Sequence, residues 1–203
     1  MSKLVFDPTM AEFNVSREAW LDAHQKDFAG VHSSAVVFDA ARTAASSSSS
    51  PARILLVQRA ATDSMPNKWE LPGGAVDPAD RDPTILDGCA RELREETGLT
   101  ARRVVRRVTE GPAGEPLTVF TNSRGTKIFC KFAFEVEVQQ LETIVLDPEE
   151  HQAWTWASEA EIVRGEIAGT NGGEGLAIPL TALHVRRIIM EAFRLRKEDD
   201  ARH

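Results

Sequence analysis

Apolar positions recur with two different periods along this chain. Short β-branched and apolar runs at residues 33–38, 53–58, 102–108 and 152–156 read as strands. Residues 117–120 and 127–138 read as a hairpin around Asn122-Ser123-Arg124-Gly125, where alternation of Phe132, Phe134, Val136 and Val138 turns one apolar face inward. Elsewhere the spacing is helical. Leu86, Cys89, Ala90, Leu93 and Thr97 share one side of a helix that Asp82-Pro83 would start and Gly98 would end. Ser16 caps a short helix through Trp20 and His24, Ser158 caps one reaching about Arg164, and residues 181–197 form an amphipathic helix burying Leu183, Ile188, Ile189, Ala192 and Phe193.

Between the first two strands lies a serine-rich tract, residues 43–51, and a glycine-rich loop covers residues 169–175; both read as linkers. The glycine loop lacks the GK[ST] ending of a phosphate-binding P-loop. Residues 1–28 read as an N-terminal extension whose Phe13 and Trp20 pack on the domain, and residues 198–203 as a charged tail.

Composition narrows the class. A chain of 203 residues, 42% hydrophobic and 27% charged, suits one globular domain, and its net charge of −7 offers no basic field for nucleic acid. Only two cysteines are present, Cys89 and Cys130, without zinc-site spacing, so both read as buried free thiols. No leader pattern or membrane-length apolar run is seen, which points to an intracellular, cytoplasmic setting without membrane contact.

The chemistry concentrates between Leu71 and Leu99. Glu92, Glu95 and Glu96 stand at helical positions i, i+3 and i+4, so three carboxylates crowd one face at a cost of a few tenths of a kcal/mol per like-charged pair. Such a face either solvates or binds a hard cation through oxygen ligands, as Mg²⁺ is bound.

The surrounding residues decide between these readings. Gly74, followed by Arg91-Glu92-Leu93-Arg94-Glu95-Glu96-Thr97-Gly98-Leu99, resembles the Nudix box, G-x5-E-x7-R-E-U-x-E-E-x-G-U with U a bulky aliphatic. Two positions depart from it. Asp80 stands where the family has glutamate, and ten residues separate it from Arg91 where the family has seven, which implies a loop three residues longer. The resemblance assigns Asp80 no role.

By that resemblance the fold is an α/β/α sandwich with a mixed β-sheet between helices, the Nudix domain covering residues 29–197. The implied activity is Mg²⁺-dependent hydrolysis, with Mn²⁺ as the alternative ion, of the diphosphate bond in a nucleoside diphosphate linked to another moiety. Glu92, Glu95, Glu96 and the carbonyl of Gly73 are the implied metal ligands, with Glu150 on a looser match. Glu95 and Glu96 are implied in catalysis, with Arg91 orienting a carboxylate. Arg59, Gly74 and Trp69 are implied in substrate binding. His151, beside Glu150, is a base by type but reads as a solvent-facing loop residue. The implied partner is a small nucleotide-type substrate, with nucleic acid not expected except as a capped end, and a homodimer accords with family habit. A Nudix-fold binding or regulatory module without turnover is the rival reading. An isomerase of isopentenyl-diphosphate type would need a catalytic cysteine motif that is not found.

Overall fold

The computed structural model describes residues 4–39, 51–141, 143–168 and 175–202. The serine-rich tract, apart from Pro51, and all of the glycine-rich loop except Gly175 lie outside the described residues. In chain order the elements are β1 (Val5–Phe6), a 3-10 turn (Pro8–Phe13), α1 (Arg17–Ala23), β2 (Gly30–Val36), β3 (Arg53–Arg59), β4 (Trp69–Glu70), α2 (Ile85–Thr97), β5 (Ala101–Val108), β6 (Thr118–Thr121), β7 (Ile128–Val138), β8 (His151–Ser158), α3 (Glu159–Arg164), β9 (Glu166–Ile167), β10 (Leu176–Ala177) and α4 (Leu183–Asp200).

The expected mixed sheet between helices is present. Its strands run β1-β5-β7-β2, with β6 also on β7; the β1–β5 and β2–β7 pairs are parallel and the rest antiparallel. A second, antiparallel sheet, β4-β3-β8, lies beside it, and isolated bridges join Phe38 to Ile54 and His32 to Ala75. The strand β7 is central: residues 132–136 are buried on both faces.

One core cluster packs Ile85, Leu86, Cys89 and Leu93 of α2 against Val31, Ala35, Phe132 and Phe134. Phe13 and Trp20 belong to it, their rings 4.9 Å from that of Phe132, so residues before β2 are part of the packed body. The second cluster sets Val185, Ile188, Ile189, Ala192 and Phe193 of α4 against both sheets. Leu183, expected inside, is 62% exposed because the helix begins there and Val185 takes the inward position.

The start of α2 differs from the sequence expectation. Its N-cap is Thr84, whose hydroxyl oxygen accepts from the Asp87 amide and donates to the Asp87 carboxylate. Asp82 is drawn elsewhere, into a buried ion pair described below. At the other end Gly98 closes the helix in the left-handed region, φ 72°, as its sequence position implies.

Candidate functional site

The chain passes from β4 into a turn that only glycine can make. Gly73 has φ 144°, and a Cβ there would lie 2.2 Å from the Ser33 carbonyl oxygen. A Cβ on Gly74 would meet the Glu92 carboxylate at 2.8 Å. The turn is therefore pressed against α2, and the Gly73 amide donates to Glu96 Oε2 at 2.7 Å.

Arg91 fixes the outer side of the same helix. Its Nε and Nη2 form a fork to the two Asp82 oxygens at 2.8 and 2.7 Å, while Nη1 reaches Glu92 at 2.9 Å and Glu95 at 2.7 Å. Nη2 also donates to the Ala75 carbonyl. These carboxylates hold the guanidinium well above its ordinary pKa. Burial alone would raise the Asp82 carboxyl, but bonds from Arg91 and the Asp77 amide keep it below the usual range. Asp82 is thus the carboxylate on Arg91, whereas Asp80 is exposed and outside the site. From sequence Asp82 reads as the helix start, and no local pattern marks it as the partner of Arg91.

The α2 carboxylates do not act as one face. Glu92 and Glu96 line a cavity of about 740 Å³, whereas Glu95 lies outside its lining, ion-paired to Arg91 and to Arg81 at 3.0 Å. Around the cavity stand Glu70 from β4, Arg59 from β3, Glu150 and His151 at the start of β8, and Lys131 from β7. Donor atoms of Glu96, Glu150 and His151 all lie within 4.8 Å of one another. Burial, with nearby Glu92, Glu70 and Glu150, lifts the Glu96 carboxyl to about 9 against the opposing bond from Gly73. Burial also raises Glu92, with Arg91 pulling the other way.

Gly73 and Gly74 line the cavity, as does Arg59, but Arg59 is already engaged by Glu70 and Asp63. Trp69, expected to face substrate, is 1% exposed in the core around α4, because alternation along β4 sends Glu70 to the cavity and its neighbour inward. His151 is 3% exposed and not a solvent-facing loop residue; its Nε2 lies 3.7 Å from Glu70. Glu70, Lys131 and the His32–Phe120 ring pair, centroids 5.0 Å apart, also line the cavity and were not found from sequence. Glu70 abuts the LPGG turn, which is a local cue; the others arrive through strand register and have none. Both cysteines are free and buried, and burial pushes Cys89 up to about 12 and Cys130 to about 11.

A comparison with protein-family models matches residues 18–173 to the NUDIX domain. The chain belongs to the NUDIX family. Among solved structures, the NUDIX chain is similar to the NUDIX domain of Shewanella oneidensis NrtR complexed with ADP ribose (17% identity, TM-score 0.54, 88% of this chain and 98% of that one). The E. coli ORF135 protein is similar at 24% identity and TM-score 0.53, covering 85% and 94% of the two chains. The MutT protein of Methanosarcina mazei Go1 is similar at 23% and 0.51, covering 83% and 95%. At these identities the likeness speaks for the fold alone. No curated protein matches the NUDIX chain. Among the described residues, no helix is long and apolar enough to cross a membrane.

Proposed function

We propose that this NUDIX chain is a divalent-metal-dependent hydrolase of the diphosphate bond in a nucleoside diphosphate linked to another moiety. The observation that carries this reading is the convergence of Glu92 and Glu96 of α2 with Glu150 in one cavity that also holds Arg59 and Lys131. Its volume, about 740 Å³, suits a nucleotide-sized ligand.

The donor set fits a hard divalent cation. Carboxylate oxygens dominate, and Glu96 is buried among like charges, an arrangement that a proton or a cation relieves. Glu92, Glu96 and the Gly73 carbonyl would hold the ion, with Mg²⁺ or Mn²⁺ suited to them and Glu150 and His151 adjoining. When bound, such a cation supplies Lewis-acid polarisation of the diphosphate and acidifies water.

The remaining duties fall to the chain. The Gly73 amide and Arg91 hold Glu96 and Glu92 in place before substrate arrives. Glu95, between Arg81 and Arg91, serves this scaffold from outside the cavity. Glu150 forms no side-chain bond to a described residue and lines the cavity, so it is positioned to take the proton of the attacking water. Arg59, steadied by Glu70 and Asp63, presents a guanidinium edge to substrate phosphate.

The test is a panel of nucleotide sugars, dinucleoside polyphosphates, oxidised nucleotides and a capped RNA end, with Mg²⁺ or Mn²⁺ and phosphatase-coupled phosphate release. Turnover of at least one member is expected. No turnover with either ion would leave the binding-module reading in its place.

A further inference from the structure

Two cationic side chains, Arg59 and Lys131, line the cavity among the described residues, and they are differently engaged. Arg59 is bound by two carboxylates. Lys131 makes no hydrogen bond or ion pair with any described residue, although Glu70 and Glu96 are near enough to act on it electrostatically. A lysine kept only as an internal counter-charge would close onto its carboxylate, because an unpaired charge in a half-buried place is costly. Lys131 instead stays open to the cavity.

The register of β7 puts this lysine opposite His32 on β2, on the sheet face turned to the cavity. Burial lowers His32 to about 4, with Lys131 adding to the fall, so His32 is neutral and supplies no second charge at physiological pH. Lys131 also acts electrostatically on His184, in the first turn of α4. That turn lines the same cavity through Thr181, Ala182, His184 and Val185. Its N-cap is Ala182, with no side-chain hydrogen bond, so the first amides of an 18-residue helix lack the usual side-chain acceptor. A lysine amine that burial lowers and Glu70 and Glu96 hold up, and an uncapped helix start, therefore border the space that Glu92, Glu96 and Glu150 also line.

We infer that Lys131, with the first turn of α4 bordering the same cavity, receives a phosphate of the substrate, so that the diphosphate meets a basic group as well as the carboxylates. This rests on the reading of the cavity as a diphosphate site. It makes Lys131, which no sequence motif marks, a substrate-binding residue. The bond formed is a charge-assisted hydrogen bond from Nζ to a phosphate oxygen.

The test uses the full chain in Mg²⁺ buffer with imidodiphosphate, a diphosphate whose bridge resists hydrolysis, followed by isothermal titration calorimetry. The parent binds it; Lys131→Met weakens binding about 10- to 100-fold, the loss of one hydrogen bond to a charged group, and Lys131→Arg restores most of it. A second readout needs no variant: imidodiphosphate protects Lys131 of the parent from reductive methylation, read by peptide mass spectrometry. Absent binding by the parent, unchanged affinity in Lys131→Met, or equal methylation with and without the anion each overturns the inference. A parent that binds through Lys131 yet hydrolyses no panel member removes the hydrolase reading alone. A parent that turns over substrate while Lys131→Met binds imidodiphosphate unchanged removes this inference alone.

Discussion

Glu96 carries two incompatible demands. It sits 4% exposed, accepts the Gly73 amide, and has three other carboxylates acting on it, so its ionised form is disfavoured where no cation balances it. Glu96→Gln keeps the shape and the amide acceptor while removing the charge. The expected outcome is a loss of turnover of at least about 100-fold with the fold retained. Mn²⁺ at a hundred times its dissociation constant should stabilise the parent by about 2.7 kcal/mol in a thermal melt and should leave Glu96→Gln unmoved. A variant hydrolysing at the parent rate, or stabilised equally by the ion, would remove Glu96 from the metal site.

At the scale of the element, α2 is set by what holds its outer flank. Asp82 is 1% exposed and takes both ends of the Arg91 fork, so Asp82→Ala leaves a guanidinium short of its main partner. Loss of one side of such a buried pair costs about 3–5 kcal/mol, whereas Asp80→Ala, at an exposed position, should fall within about 0.5 kcal/mol of the parent. Urea denaturation of the two variants checks this, and equal losses would refute the assignment. The contrast also shows what could be read in advance. The helix, its glutamates and its terminal Gly98 were legible because they are local and periodic. The cap lies at Thr84, and Asp82, read from sequence as the cap, is instead the partner of Arg91, because nothing periodic in residues 80–84 separates the two roles. Glu92 and Glu96 reach the cavity while Glu95 does not, since positions i and i+4 superpose on a helix more closely than i+3 once Arg91 pulls the latter aside.

For the molecule as a whole, long-range pairing decides what the site contains. Lys131 lies beside His32, and His151 beside Arg59, only because β7 pairs with β2 and β8 with β3. No short motif spans those separations, so these residues were invisible or misplaced in the sequence, although the strands themselves were clear. The same holds for the first residues of the chain. Phe13 and Trp20 fill the core beneath α2, and losing a buried aromatic typically costs about 3–5 kcal/mol each. Removing residues 1–28 should therefore consume most of a stability of about 5–15 kcal/mol. The shortened chain is expected to show no cooperative melt by circular dichroism, and a parent-like melting temperature would show the segment to be dispensable.

The Arg91 fork has a further consequence for how such a box tolerates change. An aspartate is one methylene shorter than a glutamate, and here the main chain before α2 brings the Asp82 carboxylate to 2.8 and 2.7 Å from the guanidinium nitrogens. Reach can be supplied by side chain or by main chain interchangeably. The loop ahead of the helix is then a tether, and its main chain sets where the carboxylate that steadies Arg91 is anchored.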